Sequence, residues 1–104
     1  MAYGLSDRDL ALIVDAAKAF PEISRLILFG SRAKGSYKPG SDVDLAVKGD
    51  AVDYDTAVRL GEVLNEETPL PYFFDVLHYE GIREPRLLAH IDRVGVVIYA
   101  RETH

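Results

Sequence analysis

Apolar residues recur at helical spacing in three parts of this chain. Ser6 and Asp9 fit the N-cap and third position of a weak capping box. The apolar stripe that follows consists of Leu10, Ile13, Val14 and Ala17. We predict that this helix closes at Pro21 and that a second helix follows Asp53. The inner stripe of the second helix consists of Ala57, Leu60, Gly61 and Leu64. Pro85 suits the first turn of a short third helix that carries Leu87, Leu88 and Ile91.

Apolar runs between these helices indicate β-strands. They are "RLILF" (25–29), "DVDLAVK" (42–48), "YFFDVLHY" (72–79) and "VGVVIYA" (94–100). The connection between the first two runs lacks a crossover helix, which favours an antiparallel pair within a mixed sheet. Because helices and strands alternate, we predict an α/β (α+β) fold. No internal linker or repeat divides the chain, so residues 1–104 are predicted to form a single domain.

Composition narrows the possible classes of function. With 104 residues, 48% of them hydrophobic, one domain can bury a substantial core. The absence of cysteine excludes disulfides and cysteine-ligated zinc. The first ten residues do not read as a signal peptide, and no apolar stretch reaches membrane-spanning length, so we expect a cytoplasmic protein with no membrane association. The net charge of -5 argues against nonspecific nucleic-acid binding, which requires clustered Lys and Arg.

The stretch "LILFGSRAKGSYKPGSDVDLAVKGD" (26–50) places its polar residues where a packed core has least use for them. Asp42 and Asp44 lie two residues apart on a strand, so both project from one side of it. Two adjacent carboxylates repel each other unless a cation lies between them or one takes a proton. Mg²⁺ is the natural partner, since it is held by one or two carboxylates together with substrate phosphates. Gly30 lets the backbone approach an anion, and the Ser31 hydroxyl can donate to phosphate oxygens.

Simpler interpretations exist for several of these residues. "SDVD" is also an ordinary turn sequence, and Ser31 could be a helix cap. Tyr37 could stack on a base or be an exposed loop residue. Two roles are possible for Arg32, Lys34 and Lys38: they could contact phosphates, or they could form a basic loop that is simply solvated. The three histidines, His78, His90 and His104, do not have the spacing of metal ligands. We expect them to be structural or surface residues.

Gly30-Ser31, ten intervening residues and then Asp42-Val43-Asp44 resemble the signature of the polymerase-beta-like nucleotidyltransferase superfamily. The run "FGSRAKGSYKPGSDVDLAV" is similar to its minimal, MNT-type members. The resemblance implies the nucleotidyltransferase palm, a small mixed sheet of about four strands with helices packed on one face. It also implies a third carboxylate from a neighbouring strand, and Asp75 is the acidic residue within "YFFDVLHY". Asp42, Asp44 and Asp75 would then be the catalytic residues and would hold two Mg²⁺ ions, with ATP as substrate.

The resemblance further implies a role and a partner. Minimal domains of this type commonly pair with HEPN-type toxins as antitoxins and can add adenylyl groups to them. Larger relatives carry an acceptor-binding domain, so here the acceptor hydroxyl is expected on a partner protein. The rival is an antitoxin or nucleotide-binding regulatory subunit that neutralises its partner by contact alone. A third reading, modification of a small molecule, is less favoured because it needs that second domain.

The third strand predicts a contact surface. Phe73, Asp75 and Leu77 share one face of the strand. If Asp75 joins the other two carboxylates, Phe73 and Leu77 lie on the same face as the metals. Exposed apolar residues there would mark a contact, so we expect a partner protein or a second copy of the chain to cover them.

Overall fold

The computed structural model describes residues 2–102, and the sequence prediction for His104 therefore lies outside the described residues. Four α-helices and four β-strands are formed within this range. In chain order they are α1 (Asp7–Lys18), β1 (Arg25–Phe29), α2 (Gly30–Lys34), β2 (Val43–Lys48), α3 (Tyr54–Glu66), β3 (Phe74–His78), α4 (Pro85–Val94) and β4 (Val96–Ala100). A single 3₁₀ turn, Tyr79–Gly81, follows β3.

Side-chain caps begin the helices where the sequence predicts. The Ser6 hydroxyl accepts a hydrogen bond from the Asp9 N–H at 3.0 Å, and the Asp9 carboxylate accepts from the Ser6 N–H at 3.4 Å, so the predicted capping box is formed. Asp53 caps α3 in the same way, accepting from the Thr56 N–H at 2.9 Å. Pro85 occupies the first turn of α4. These caps satisfy backbone donors that would otherwise lack partners.

The strands form one mixed sheet in the order β3-β2-β1-β4. β1 is antiparallel to both β2 and β4, whereas β2 and β3 are parallel. The prediction of a small mixed sheet of about four strands in an α/β fold is therefore confirmed. β2 begins at Val43, so Asp42 directly precedes the strand, and Asp44 is the second strand residue.

Helices cover both faces of the sheet. α1 and α3 pack on one face, as expected, over a core that includes Leu26, Leu45 and Phe74. α4 packs on the other face, where its Ile91 joins a smaller buried cluster with Ile27, Phe29 and Ala46. The sequence predicted helices on one face only. This is correct for α1 and α3, but α4 covers the opposite face. The reason is that the central strands carry apolar side chains on both faces, and the second set also has to be removed from water.

Candidate active site

Gly30 is the first residue of α2 and makes the turn from β1 into that helix. Its φ of +75° lies in the left-handed region, which glycine adopts without steric penalty. A Cβ atom at this position would collide with Oδ2 of Asp44, so the Asp44 carboxylate lies directly against the turn. Strand pairing brings the two together, because Phe29 of β1 is paired with Asp44 of β2. Glycine is therefore required both by the backbone conformation and by the neighbouring carboxylate.

Two of the three predicted carboxylates, Asp44 and Asp75, are neighbours at this end of the sheet, and the charge of Asp42 also acts on Asp44. Asp44 and Asp75 are direct neighbours in the register of β2 and β3, so their side chains project from the same face. Burial raises the pKa of Asp44 above its ordinary value, and the charges of Asp75 and Asp42 raise it further. Asp44 is half-buried, whereas Asp42 and Asp75 are exposed. The arrangement is an acidic cluster that is open to solvent and would be relieved by a bound cation.

The donor set of this cluster suits a hard cation. Carboxylate oxygens are the ligands that Mg²⁺ prefers, and Mg²⁺ keeps several positions for water and phosphate. Within residues 2–102, no three histidine, aspartate or glutamate side chains are already gathered as a metal cage.

Ser31 is the second residue of α2 and does not cap it. The N-cap of α2 is Phe29, which makes no side-chain capping bond, so the interpretation of Ser31 as a cap is wrong. The Ser31 carbonyl accepts hydrogen bonds from the N–H groups of Gly35 and Ser36 and thereby closes the C-terminus of this short helix. The half-buried Ser31 hydroxyl makes no hydrogen bond within the described residues and remains available as a donor beside Gly30.

Arg32 is a structural residue and not a phosphate ligand. Its side chain is only 2% exposed. Nε and Nη2 donate to the Ser41 carbonyl at 3.1 and 2.7 Å, and Nη1 donates to the Tyr3 carbonyl at 3.0 Å. The guanidinium also lies over the rings of Tyr37 and Tyr72, at 5.4 and 4.8 Å from their centroids. Arg32 therefore ties the loop that leads into Asp42 to α2 and to the N-terminal segment.

The remaining candidates for phosphate or base contacts are Lys34, Lys38 and Tyr37. None of them makes a contact with the three carboxylates among the described residues. Lys34, the last residue of α2, and Lys38, in the loop that follows, are both exposed. Tyr37 remains partly exposed, and one face of its ring lies against the Arg32 guanidinium.

Two histidines have environments that the sequence did not reveal. Nε2 of His90 on α4 accepts a hydrogen bond from the Gly30 N–H at 3.3 Å, and its ring meets Phe29 edge-on. This amide is therefore not free for a phosphate.

His78 lies apart from the carboxylates, beside a cavity of about 350 Å³ at the outer edge of β3. Its buried Nε2 has no hydrogen-bond partner among residues 2–102 and lies 3.6 Å from Oε1 of Glu80.

No helix in the described part of the chain is long and apolar enough to span a membrane.

The fold is similar to that of chains from toxin–antitoxin complexes. A complex determined with AMP-PNP matches at 21% identity over 90% of this chain and 75% of that chain, with a TM-score of 0.73. The MntA-HepT complex matches at 18% identity over 92% and 74%, with a TM-score of 0.69. A complex of a tri-AMPylated Shewanella oneidensis HEPN toxin with an MNT antitoxin matches at 19% identity over 88% and 70%, with a TM-score of 0.65. At these identities the likeness shows a shared fold.

The sequence itself matches one family description. No curated protein sequence is significantly similar to the chain. The model of the family described as "Polymerase beta, Nucleotidyltransferase" matches residues 12–104, which include the Gly30-Ser31 turn and all three carboxylates. The sheet, the turn and the neighbouring carboxylates agree with this match. The chain belongs to the polymerase beta nucleotidyltransferase family.

Proposed function

We propose that this protein is a Mg²⁺-dependent nucleotidyltransferase that transfers AMP from ATP to a hydroxyl group of a HEPN-type toxin and so acts as its antitoxin. The observation that carries the proposal is the position of Asp44. Its carboxylate lies against the left-handed Gly30 turn and beside Asp75, and its pKa is raised by its burial and by the neighbouring acidic groups. A surface that concentrates negative charge beside a glycine turn is suited to a cation and a phosphate chain.

Each residue of the site has a role in this proposal. Asp42, Asp44 and Asp75 would hold two Mg²⁺ ions, which when bound neutralise the phosphates and lower the pKa of the acceptor hydroxyl. Gly30 leaves space for the Asp44 carboxylate beside the turn, and the Ser31 hydroxyl donates to a phosphate oxygen. Asp75 is exposed and accepts the proton of the acceptor hydroxyl.

The proposed reaction is an in-line displacement at phosphorus. The acceptor oxygen forms a bond to the α-phosphorus of ATP, and the bond between that phosphorus and the bridging oxygen breaks. Pyrophosphate leaves, and the hydroxyl proton passes to the carboxylate of Asp75. The protein contributes mainly positioning and charge stabilisation, as is usual in phosphoryl and nucleotidyl transfer.

The choice of acceptor draws on the structural neighbours. One of them is an MNT antitoxin in complex with a tri-AMPylated HEPN toxin, and another complex was determined with AMP-PNP. At these identities the likeness shows the fold, so substrate and partner remain parts of our proposal. AMP as the transferred group and a protein hydroxyl as the acceptor are the choices that follow from those neighbours.

Binding of Mg-ATP tests the proposed site. We expect Mg²⁺ and ATP together to raise the melting temperature of the wild-type protein, and Asp42→Asn and Asp44→Asn to abolish that rise while the protein stays folded. An exposed helix carboxylate, Asp15, supplies the matched Asp15→Asn control. If both site variants keep the full ligand-induced rise, the assignment of the metal site is wrong.

A second function is favoured by one observation. Because the described carboxylates do not form a ready-made metal cage, a binding-only antitoxin that neutralises its partner by contact also fits the structure. Toxin neutralisation separates the two functions. If Asp44→Asn protects cells from the toxin as well as wild type does, contact alone is sufficient. If protection is lost while the complex persists, transfer is required.

A further inference from the structure

The glycine of the site is held by a side chain from the far end of the sequence. The Gly30 N–H donates to Nε2 of His90 at 3.3 Å, a contact between residues 60 positions apart. The His90 ring also packs edge-to-face on Phe29, with the two ring centroids 6.1 Å apart. His90 thus contacts the last residue of β1 and the first residue of α2, where the chain turns towards Asp44.

This hydrogen bond determines the form of the imidazole. Nε2 of His90 is the acceptor in this contact, and an imidazole nitrogen accepts a hydrogen bond only when it carries no proton. The bond also constrains the peptide plane that precedes the left-handed Gly30. The position of this plane affects both the following Ser31 and the backbone that packs on the Asp44 carboxylate.

We propose that His90 is a positioning residue of the nucleotide site. By holding the Gly30 peptide, its Nε2 keeps the Ser31 hydroxyl and the Asp44 carboxylate in the arrangement that receives the phosphates of ATP. The proposal rests on the nucleotidyltransferase function given above. It also gives α4 a role beyond covering the second face of the sheet, since this helix carries both His90 and the buried Ile91.

Packing and hydrogen bonding by His90 can be separated with two variants. His90→Phe keeps an aromatic ring against Phe29 but removes the acceptor. His90→Gln removes the ring but keeps an acceptor oxygen at a similar reach along the side chain. A purely packing role predicts that Phe is tolerated and Gln is harmful. The positioning role predicts the reverse order for nucleotide binding.

The experiment measures Mg-ATP affinity by titration calorimetry for wild type, His90→Phe and His90→Gln, with melting temperatures to verify folding. The control, His78→Phe, makes the same substitution at the cavity beside β3. We expect His90→Phe to weaken affinity about 3- to 10-fold, the effect of one lost hydrogen bond. His90→Gln and His78→Phe should stay close to wild type.

An amide signal provides a readout that does not depend on nucleotide. In ¹⁵N spectra of the free protein, the Gly30 peak, assigned by its loss in Gly30→Ala, should shift in His90→Phe and remain near its position in His90→Gln. Wild-type affinity in folded His90→Phe, or equal loss in the Phe and Gln variants, would overturn the positioning role. Failure of the wild-type protein to bind Mg-ATP would instead overturn the proposed function, and the role of His90 with it.

Discussion

Asp44 carries the strongest electrostatic signature of the site. Burial, Asp75 and Asp42 raise its pKa above the ordinary value of 3.8. The native state therefore holds this proton more tightly than the unfolded chain does. Stability contributed by protonated Asp44 is full below about pH 3.8 and is lost as pH rises through the folded pKa. At neutral pH the ionised carboxylate destabilises the protein in the absence of a cation.

Asp44→Asn should consequently unfold at the same or a higher urea concentration than wild type at neutral pH. Its advantage should shrink as the pH falls towards the ordinary carboxyl range. Its affinity for Mg-ATP should fall at least about tenfold, since even residues that only support metal ligands have effects of that size. Urea unfolding at several pH values, with Asp15→Asn as the control, checks the first expectation. A variant that is clearly less stable than wild type at neutral pH contradicts it.

Two effects of a side chain at Gly30 can be tested separately: its steric clash with Asp44 and the strain of a left-handed backbone. Gly30 and Gly40 both have left-handed φ values, +75° and +82°, but a Cβ at Gly40 meets nothing within 4 Å. Alanine at either position should destabilise the fold by roughly 1–2 kcal/mol through backbone strain. Only Gly30→Ala should also displace Asp44 and weaken Mg-ATP binding. Equal nucleotide affinity in the two alanine variants would mean that Gly30 serves only as a turn residue.

The proximity of Asp44 and Asp75 was predictable from short-range patterns and the family resemblance, whereas the contacts of Arg32 and His90 were not. Strand alternation places Asp42 and Asp44 on one side, and a single acidic residue within an apolar strand singles out Asp75. Arg32 and His90 act through contacts with residues 29 and 60 positions away. Neither the spacing nor the composition of a sequence reports contacts of that range.

At the scale of elements, Arg32 links α2 to the loop that precedes β2. We expect Arg32→Lys to lower the free energy of unfolding by about 1.5–3 kcal/mol, because lysine cannot reproduce the forked donors that bind the Ser41 and Tyr3 carbonyls. Mg-ATP affinity should also fall, since this loop leads into Asp42. Urea denaturation checks the expectation, and Arg86→Lys at an exposed position of α4 is the control. Equal stability of the two variants would argue against the linking role of Arg32.

The sequence predicted the positions of the strands and helices along the chain better than it predicted which face of the sheet each helix covers. β1 matches the predicted run 25–29, and α3 begins directly after its predicted cap, Asp53. β3 is shorter than the predicted run 72–79, and β4 begins at Val96 rather than at residue 94. Runs of apolar residues extend past the hydrogen-bonded strand, because residues outside a strand can also pack on a core. The position of α4 depends on which sheet face remains uncovered, which is a tertiary property.

At the scale of the whole molecule, the predicted contact surface is smaller than the sequence suggested. Phe73 is 60% exposed and directly precedes β3, close to Asp75. Leu77, which shares its face, packs against the cluster that includes Ile91 of α4 and is half-buried. An exposed aromatic beside an acidic site is suited to a protein contact. Phe73 is therefore the residue of this pair that a partner can reach.

Phe73→Ser should leave the fold intact and weaken binding of the proposed HEPN-type partner at least about tenfold, as the loss of a central aromatic contact does. Affinity measured by calorimetry, with circular dichroism to verify folding, checks this. Val97→Ser, at a half-exposed position on the opposite edge of the sheet, is the control. Unchanged partner affinity in folded Phe73→Ser excludes this surface. If light scattering finds a dimer that only this variant loses, the surface binds a second copy of the chain.

Mass spectrometry of the partner tests the central claim most directly. The proposed HEPN-type partner is incubated with this protein, Mg²⁺ and ATP, and the intact mass of the partner is measured. We predict that the mass rises by one or more AMP groups with wild type and stays unchanged with Asp44→Asn, although that variant still forms the complex. An unmodified partner in a folded wild-type complex, or equal modification by Asp44→Asn, would contradict the assignment of this site as a nucleotidyltransferase centre.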